Sequence, residues 1–251
     1  MSQEKFRLVT RSDFDGLVCA VLLNDLDLID DIKFVHPKDM QDGKVDITAR
    51  DITTNLPYVA AAHLAFDHHL SETLRNSGER ANHIIDPKAP SAARVVYDYY
   101  GGKKAFPEIA DDMMVAVDKA DSAQFSRDEV LAPTGWVLLN YLMDARTGLG
   151  RFREFRISNY SLMMDLIKYC RNHTIEQILA LPDVKERVDL YQEQAGKARE
   201  QILRCASVFG NLVVLDLREE ETIWATNRFM IYALFPQTNI SIHVLWGVQK
   251  Q

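Results

Sequence analysis

The chain has 251 residues, 47% of them hydrophobic and 26% charged, with a formal net charge of -7 from 29 basic and 36 acidic residues. An acidic balance argues against a protein that wraps long duplex nucleic acid, which would normally need a basic excess. The three cysteines form no C-x-x-C pair, and neither a signal peptide nor a run long enough to span a membrane is visible, so the sequence predicts a soluble, cytoplasmic protein with reduced thiols.

The first half of the chain alternates β-prone runs with helical segments. Strands are predicted at 6–10, 32–35, 60–66 and 83–85, and another at 45–48 whose limits Asp42-Gly43 and Asp51 leave open. Helices are predicted from Leu17 and after Ser91, which is a plausible N-cap. This alternation predicts an α/β fold with a mainly parallel sheet flanked by helices. In such sheets ligands bind at the carboxyl ends of the strands.

The second half changes character after two more apolar helices, predicted at 107–120 and 136–143. Residues 151–206 are helical and richer in charge, which indicates a helical linker. Strands are then predicted at 212–217, 228–235 and 240–246. Because three strands make a poor independent domain, the predicted organisation is a first domain at 1–150, a linker at 151–206 and an incomplete second small α/β domain at 207–251. Unpaired edges of an incomplete sheet favour association, including a homodimer.

Carboxylates and imidazoles follow the predicted elements of the first domain. The D-x-D-G motif Asp13-Phe14-Asp15-Gly16 lies between a strand and a helix, where both carboxylates share one side and the helix N-terminus suits phosphate. Asp51 lies sixteen positions before Asp67-His68-His69, a spacing that fits one strand end and the next. Asp121 ends a predicted helix, with Asp118 three residues earlier. Each motif alone has a plainer interpretation as a turn, a helix cap or a solvated helix end.

Taken together, these residues indicate a centre for hard divalent metals. Carboxylates with one or two imidazoles suit Mn²⁺ or Mg²⁺ better than structural zinc, which favours thiolate-rich sites. Two such ions relieve the repulsion among the carboxylates and clamp a phosphate while generating a nucleophilic hydroxide. His36, at a strand end, and Arg146, in a basic glycine-containing segment, are further candidates for substrate contacts.

At these motifs the chain resembles the DHH phosphoesterases, named for the triplet seen here as Asp67-His68-His69. It is most similar to the exopolyphosphatase-related branch, whose relatives include family II inorganic pyrophosphatases, single-strand exonucleases and oligoribonucleases. Four motifs occur in the family's order over the first 125 residues or so. The second motif falls on Asp51, with Asp46 as a rival, and the fourth on Asp121-Ser122, with Asp118 as the other candidate. Residues 207–251 resemble the beginning of the family's second domain, DHHA1.

The resemblance implies roles for individual residues. The ligands of two Mn²⁺ (or Mg²⁺) ions would be Asp13, Asp15, Asp51, His68 and Asp121, with Asp51 as the bridge. Catalytic residues at the phosphate would be His69 and Arg11, and Asp67 would orient its neighbours. The implied activity is a manganese-dependent phosphoesterase that hydrolyses a phosphodiester or phosphoanhydride through a metal-bridging hydroxide. Its substrate would be an oligoribonucleotide, polyphosphate or related small phosphate compound.

Two departures from the family pattern shape the alternatives. The family's first motif opens with a histidine two or four residues before the D-x-D, where this chain has Arg11 and Val9. One of the two metal sites is therefore predicted to be weakened. The family's glycine-rich motif ending in histidine does not occur before Gln251, which predicts a fragment or the loss of that half of the cleft. The alternative function is a catalytically weak nucleotide- or phosphate-binding protein. A purely structural protein would require the carboxylates to scatter in space.

Overall fold

The computed structural model of the chain describes residues 4–76, 78–152 and 154–247. The chain forms two compact units: unit 1 contains Met1–Gln124 and Ser158–Ile178, and unit 2 contains Phe125–Ile157 and Leu179–Gln251. These units do not coincide with the predicted boundaries at 150 and 206. The division into three domains therefore stays a prediction.

The described residues form helices and strands in both units. The helices are α1 (Phe14–Asp25), α2 (Pro37–Gln41), α3 (Leu70–Arg75), α4 (Ala92–Tyr99), α5 (Asp111–Asp121), α6 (Arg127–Leu131), α7 (Gly135–Met143), α8 (Asn159–Asn172), α9 (Ile175–Ala180), α10 (Pro182–Cys205) and α11 (Met230–Leu234). The strands are β1 (Phe6–Arg11), β2 (Ile29–Val35), β3 (Asp51–Thr54), β4 (Leu64–Asp67), β5 (His83–Ile85), β6 (Ala206–Phe209), β7 (Leu212–Asp216) and β8 (Ile240–Val244). None of the helices in the described ranges is both long and apolar enough to cross a membrane.

The described part of unit 1 contains a five-stranded sheet with the order β2-β1-β3-β4-β5. All of its neighbouring strands are parallel, which confirms the predicted mainly parallel α/β fold. Parallel strands place their carboxyl ends at one edge, so the loops after β1, β3 and β4 meet there. This edge carries the candidate site.

Helix α1 is the centre of the core of unit 1. Every residue from Leu17 to Leu23 is fully buried, because this run has no polar face to present to water. It packs against α4, α5 and α8. The contact with α8 explains why 158–178 belongs to unit 1 although the sequence places it in a linker. The burial of α1 also fixes the D-x-D-G turn from which the helix begins.

One strand of this sheet lies later in the sequence than predicted. Residues 45–48 form no strand, and β3 runs from Asp51 to Thr54, pairing with β1 and β4. Asp51 therefore begins its strand instead of following it. This shift moves Asp51 to the amino edge of the sheet, opposite the candidate site.

Unit 2 contains a three-stranded sheet in its described part, with the order β6-β7-β8. Strands β6 and β7 form an antiparallel hairpin, and Gly210 in its turn has a φ of 62°. Strands β7 and β8 are parallel. The predicted strand at 228–235 is wrong, since Met230–Leu234 forms α11. Two parallel strands need a crossover connection, usually helical, and α11 lies in that crossover.

Candidate functional site

The D-x-D-G turn after β1 sets two carboxylates at the carboxyl edge. Asp13 is the N-cap of α1, and its Oδ1 accepts a hydrogen bond from the Gly16 backbone N–H at 3.0 Å. A Cβ at Gly16 would lie 2.0 Å from the carbonyl oxygen of Arg11. Only glycine lets the chain turn this tightly, and the turn places Asp15 in the first turn of α1, where it is 2% exposed.

Asp15 is held by the backbone of a second helix. Its two carboxylate oxygens accept hydrogen bonds from the N–H groups of Ala92 at 3.1 Å and Ala93 at 2.8 Å, at the N-terminus of α4. Burial raises the pKa of Asp15 well above its ordinary value, and the nearby carboxylates of Asp121 and Asp13 raise it further. A buried carboxylate facing two others is an environment that a cation would stabilise.

His68 presents one ring nitrogen to these carboxylates. Its Nδ1 lies 3.2 Å from the carbonyl oxygen of Ala89, and its Nε2 lies 2.7 Å from Oδ2 of Asp121. Burial lowers the pKa of His68, but the interaction with Asp121 and the charge of Asp15 outweigh it and raise the pKa to about 9. A backbone carbonyl at Nδ1 orients the ring so that Nε2 is the atom available to a metal, the usual arrangement of ligating histidines.

Asp15, His68 and Asp121 form a candidate metal site. One possible ligand atom from each residue lies within 4.8 Å of those of the other two. Among the described residues, these three form the group of histidine, cysteine and acidic side chains that could hold a metal ion. Two buried polar atoms nearby, Oδ2 of Asp67 and Oδ1 of Asn55, have no hydrogen-bond partner among the described residues. Two carboxylates, one imidazole and neighbouring free oxygens fit Mn²⁺ or Mg²⁺.

The structure does not bring Asp51, the expected bridge between two metals, to the cluster of Asp15, His68 and Asp121. Asp51 starts β3 at the amino edge, where it accepts hydrogen bonds from Arg7 Nε at 2.6 Å and Thr48 N at 2.6 Å. Burial would raise the pKa of Asp51, but these partners outweigh it and hold the pKa below its usual value. The rival Asp46 lies beside it, since its carbonyl oxygen accepts from Arg7 Nη2 at 3.0 Å. Both carboxylates belong to the far edge of the sheet.

The same geometry decides between the two candidates for the fourth motif. Asp121, at the end of α5, joins the cluster. Asp118 instead accepts hydrogen bonds from Ser91 Oγ at 2.7 Å and from Arg94 Nε at 3.0 Å. Asp118 therefore fastens α5 to the start of α4 and does not join the metal-site cluster.

Asn55 is the residue at the site that sequence reasoning missed. It follows the last residue of β3, at the position where a strand-end carboxylate was expected. Its Nδ2 donates to Asp13 Oδ1 at 3.4 Å, and its Oδ1 is buried without a described partner. Its φ is 56°, in the left-handed region that asparagine tolerates better than most residues. The β-prone run Ile52-Thr53-Thr54 directly before it was the available signal.

The DHH turn after β4 positions His69. Asp67 Oδ1 accepts from the backbone N–H of His68 at 2.8 Å and lies 2.7 Å from Nδ1 of His69. The rings of His68 and His69 have centroids 4.5 Å apart, so the metal-site cluster and His69 are adjacent. Asp67 therefore holds the imidazole ring of His69 through this contact.

A small cavity lies beside this turn. Its volume is about 120 Å³, and Arg11, Asn55, Asp67, His69 and Arg75 are among its lining residues. Arg11 Nε lies 2.9 Å from Asp13 Oδ2, which ties the guanidinium to the D-x-D motif. A guanidinium and an imidazole that share a small cavity can hold a phosphate group.

The two predicted substrate-contact residues lie elsewhere. His36 caps α2 after β2, with its Nδ1 accepting from Lys38 N at 3.1 Å, and it does not line the cavity beside His69. Arg146 is in unit 2, where its Nε donates to Asp144 at 2.8 Å and its side chain lines a separate cavity. Their roles in substrate binding stay predictions.

The fold and the site together define an α/β protein with a cluster of candidate metal ligands beside a small cavity. The solved structure of the pGpG-specific phosphodiesterase PggH from Vibrio cholerae is similar to this chain at 68% sequence identity and a TM-score of 0.89. The match covers 98% of this chain and 80% of that chain. The chain therefore belongs to the same protein family as PggH.

Other comparisons add little. An uncharacterized protein from Helicobacter pylori G27 is 10% identical, with a TM-score of 0.37 over 96% of this chain and 82% of that chain, a likeness too low to support an argument. No protein-family model matches the chain, and no curated protein matches it.

Proposed function

We propose that this chain is a DHH-type phosphodiesterase that uses Mn²⁺, or Mg²⁺, to hydrolyse the short dinucleotide pGpG. The observation that carries the proposal is the convergence of Asp15, His68 and Asp121 within 4.8 Å, next to His69. The substrate follows from the 68% identity with PggH. In the reaction one water adds to the internal phosphodiester, the bond from phosphorus to the 3′ oxygen breaks, and two molecules of GMP leave.

The residues of the site divide this task. Asp15, His68 and Asp121 would hold a divalent ion, which when bound would supply positive charge that polarises the phosphate and acidifies water. Asp67 fixes the ring of His69 through Nδ1, which leaves the other ring nitrogen to contact a phosphate oxygen. Arg11, in the same cavity, places a second cationic group against the charge that develops on the phosphate.

A second ion has a poorer set of ligands. Asp13 offers a carboxylate and Asn55 an uncharged amide oxygen, while Arg11 or Val9 stands where the family's first motif would have a histidine. An amide oxygen attracts a divalent ion less than a carboxylate does, and a guanidinium nearby repels it. We therefore expect one tight metal per chain and a second that binds weakly or only together with phosphate.

The same residues favour a second candidate function, a catalytically weak nucleotide- or phosphate-binding protein. If hydrolysis requires two ions, Asn55 and Arg11 lower the occupancy of the second one. Such a protein would bind pGpG in the presence of Mn²⁺ and release little GMP.

A hydrolysis assay separates the two candidates. We expect the full chain to convert pGpG to GMP with Mn²⁺, to stop with excess chelator, and to act more slowly on polyphosphate, pyrophosphate and cyclic dinucleotides. His68→Ala should lower the rate at least about 100-fold, because a direct ligand matters at least as much as the neighbours whose loss costs 10–100-fold. His173→Ala, a matched change at the end of α8, should leave the rate unchanged. Binding of pGpG without hydrolysis would establish the second candidate instead.

A further inference from the structure

Unit 2 contains a cavity that the proposed reaction does not use. Its volume is about 390 Å³, near the lower end of the range of roughly 300–1,000 Å³ typical of small-molecule sites. The inner face of β7 and β8 forms one wall, and α10, the segment around α11 and residues 146–151 form the rest. The lining residues that matter here are Arg146, Arg151, Arg228, Trp224, Phe229 and Tyr232.

The charges of this lining are of one sign. Three arginines line the cavity, and its described lining contains no carboxylate. Asp144, outside the lining, pairs with Arg146 at 2.8 Å and lies 3.7 Å from Arg228. The described lining itself carries three positive side chains and no negative one. The cavity therefore attracts anions.

Arg151 is the guanidinium that such an anion would meet. Its side chain forms no ion pair or hydrogen bond with the described residues of the chain. It lies against Gly148, where a Cβ would be 2.0 Å from its Nη1, so the glycine makes room for it. Burial lowers the pKa of Arg151, which shows a charge partly removed from water, and an anion would compensate that loss.

Two amide side chains of the lining are already engaged. Gln201 donates to Glu220 and to the Thr222 carbonyl. Asn227 donates to the Val130 carbonyl and to Tyr191. Such groups shape the wall, and Arg151 offers a charged contact that no described residue occupies.

Trp224 supplies an aromatic surface in the same cavity. Its ring is among the lining, and the ammonium of Lys197 lies 4.8 Å from the ring centre. Stacking of a nucleobase on an aromatic side chain contributes substantially to nucleotide affinity and tolerates any base. A ligand with both an anionic end and a flat aromatic end fits this lining best.

We propose that the unit 2 cavity binds one nucleoside monophosphate, with its phosphate at Arg151 and its base against Trp224. The volume suits a single mononucleotide. The proposal rests on residues of unit 2 alone and does not depend on the phosphodiesterase activity proposed above.

Tryptophan fluorescence reports on this cavity directly, because Trp136, Trp224 and Trp246 are the three tryptophans of the chain and all lie in unit 2. GMP is titrated into the full chain with excess chelator, so that no hydrolysis occurs. We expect saturable quenching that Trp224→Phe largely removes. Guanosine and inorganic phosphate, each with half of the recognised chemistry, should bind at least about tenfold more weakly.

Matched variants make the test decisive. Arg151→Gln should weaken GMP binding about 10- to 100-fold, the loss expected for a charge-assisted contact, while Arg199→Gln on the exposed side of α10 should not change it. Arg151→Lys keeps the charge without the fork-shaped donor set and should bind several-fold more weakly, which protects the test if the glutamine variant misfolds. His68→Ala should bind GMP normally even though hydrolysis is lost. Unchanged affinity in both Arg151 variants, equal affinity for guanosine, or loss of binding in His68→Ala would each overturn the proposal.

Discussion

Replacing Asp51 by asparagine should damage stability and spare the metal centre. The Asp51 carboxylate is 1% exposed and accepts four hydrogen bonds, from Arg7 Nε at 2.6 Å, Arg7 Nη2 at 2.9 Å, Thr48 N at 2.6 Å and Thr48 Oγ1 at 3.1 Å. Asparagine keeps the shape but removes the charge and turns an NH₂ group toward one of these donors.

The magnitude follows from those contacts. Hydrogen bonds to charged groups contribute roughly 1.5–3 kcal/mol, and removing one partner of a buried ion pair costs roughly 3–5 kcal/mol. The Arg7 side chain is 29% exposed, so water can hydrate the guanidinium that is left behind. We therefore expect a loss of about 2–3 kcal/mol. For a chain of this size, that lowers the midpoint of thermal unfolding by about 4–12 °C.

The loss should depend on pH. The folded-state pKa of Asp51 lies below its unfolded value, so the stabilisation is fully present above the unfolded pKa of about 3.9 and disappears as pH falls through the folded value. The midpoints of wild type and Asp51→Asn, followed by circular dichroism, should differ fully at pH 7 and converge below about pH 4.

Titration with Mn²⁺ completes this test. Asp51→Asn should bind Mn²⁺ with unchanged affinity and hydrolyse pGpG at the wild-type rate at a temperature where it is folded. Asp30→Asn, an exposed carboxylate on β2, is the matched control and should change stability by less than about 0.5 kcal/mol. An Asp51→Asn protein that keeps its thermal midpoint but loses Mn²⁺ affinity would refute the assignment of Asp51 to the amino edge.

Three further changes test the site itself. Asn55→Asp should strengthen binding of a second Mn²⁺ at least about tenfold in isothermal titration, since a carboxylate replaces an amide at the end of β3; unchanged stoichiometry would mean that Asn55 does not face the ions. Gly16→Ala should lower the thermal midpoint and Mn²⁺ affinity together, because its Cβ would collide with the Arg11 carbonyl; a normal Mn²⁺ titration would contradict that. Asp67→Asn should lower the hydrolysis rate about 10- to 100-fold by releasing the ring of His69, with little loss of metal, and a Mn²⁺ affinity that falls as far as the rate would instead make Asp67 a ligand.

Much of unit 1 could be predicted from the sequence because its signals are local. Apolar runs that end in Asp13, Asp67 or Asp121 indicate elements with polar residues at their ends, and the alternation of strands and helices indicates parallel pairing. The convergence of Asp121 with His68 followed from that topology and from the family resemblance. No property of α5 alone distinguishes Asp121 from Asp118.

The errors in the limits of β3 and in the element at 228–235 have a common physical cause. A short apolar run does not by itself determine where an element begins and ends, or whether it is a strand or a helix. Val45 to Thr48 and Ile52 to Thr54 are both β-prone, and only pairing with β1 and β4 selects the second. As a result, Asn55 follows the carboxyl end of β3 at the site, and Asp51 lies at the opposite end of the strand. Residues 229–235 of the predicted strand form a continuous apolar run, whose periodicity cannot separate a buried strand from a buried helix. Because β7 and β8 are parallel, the chain between them must cross over, and it does so through the helix α11.

The hydrogen bonds between Asp15 and the start of α4 also affect local opening of that helix. The amide hydrogens of Ala92 and Ala93 cannot exchange with water while the carboxylate holds them. Opening of the first turn of α4 and release of this carboxylate are therefore a single event. An ion that binds Asp15 only in the closed arrangement slows that event by mass action. The hydrogen-exchange rate of these two amides therefore measures how long the metal-site cluster stays assembled.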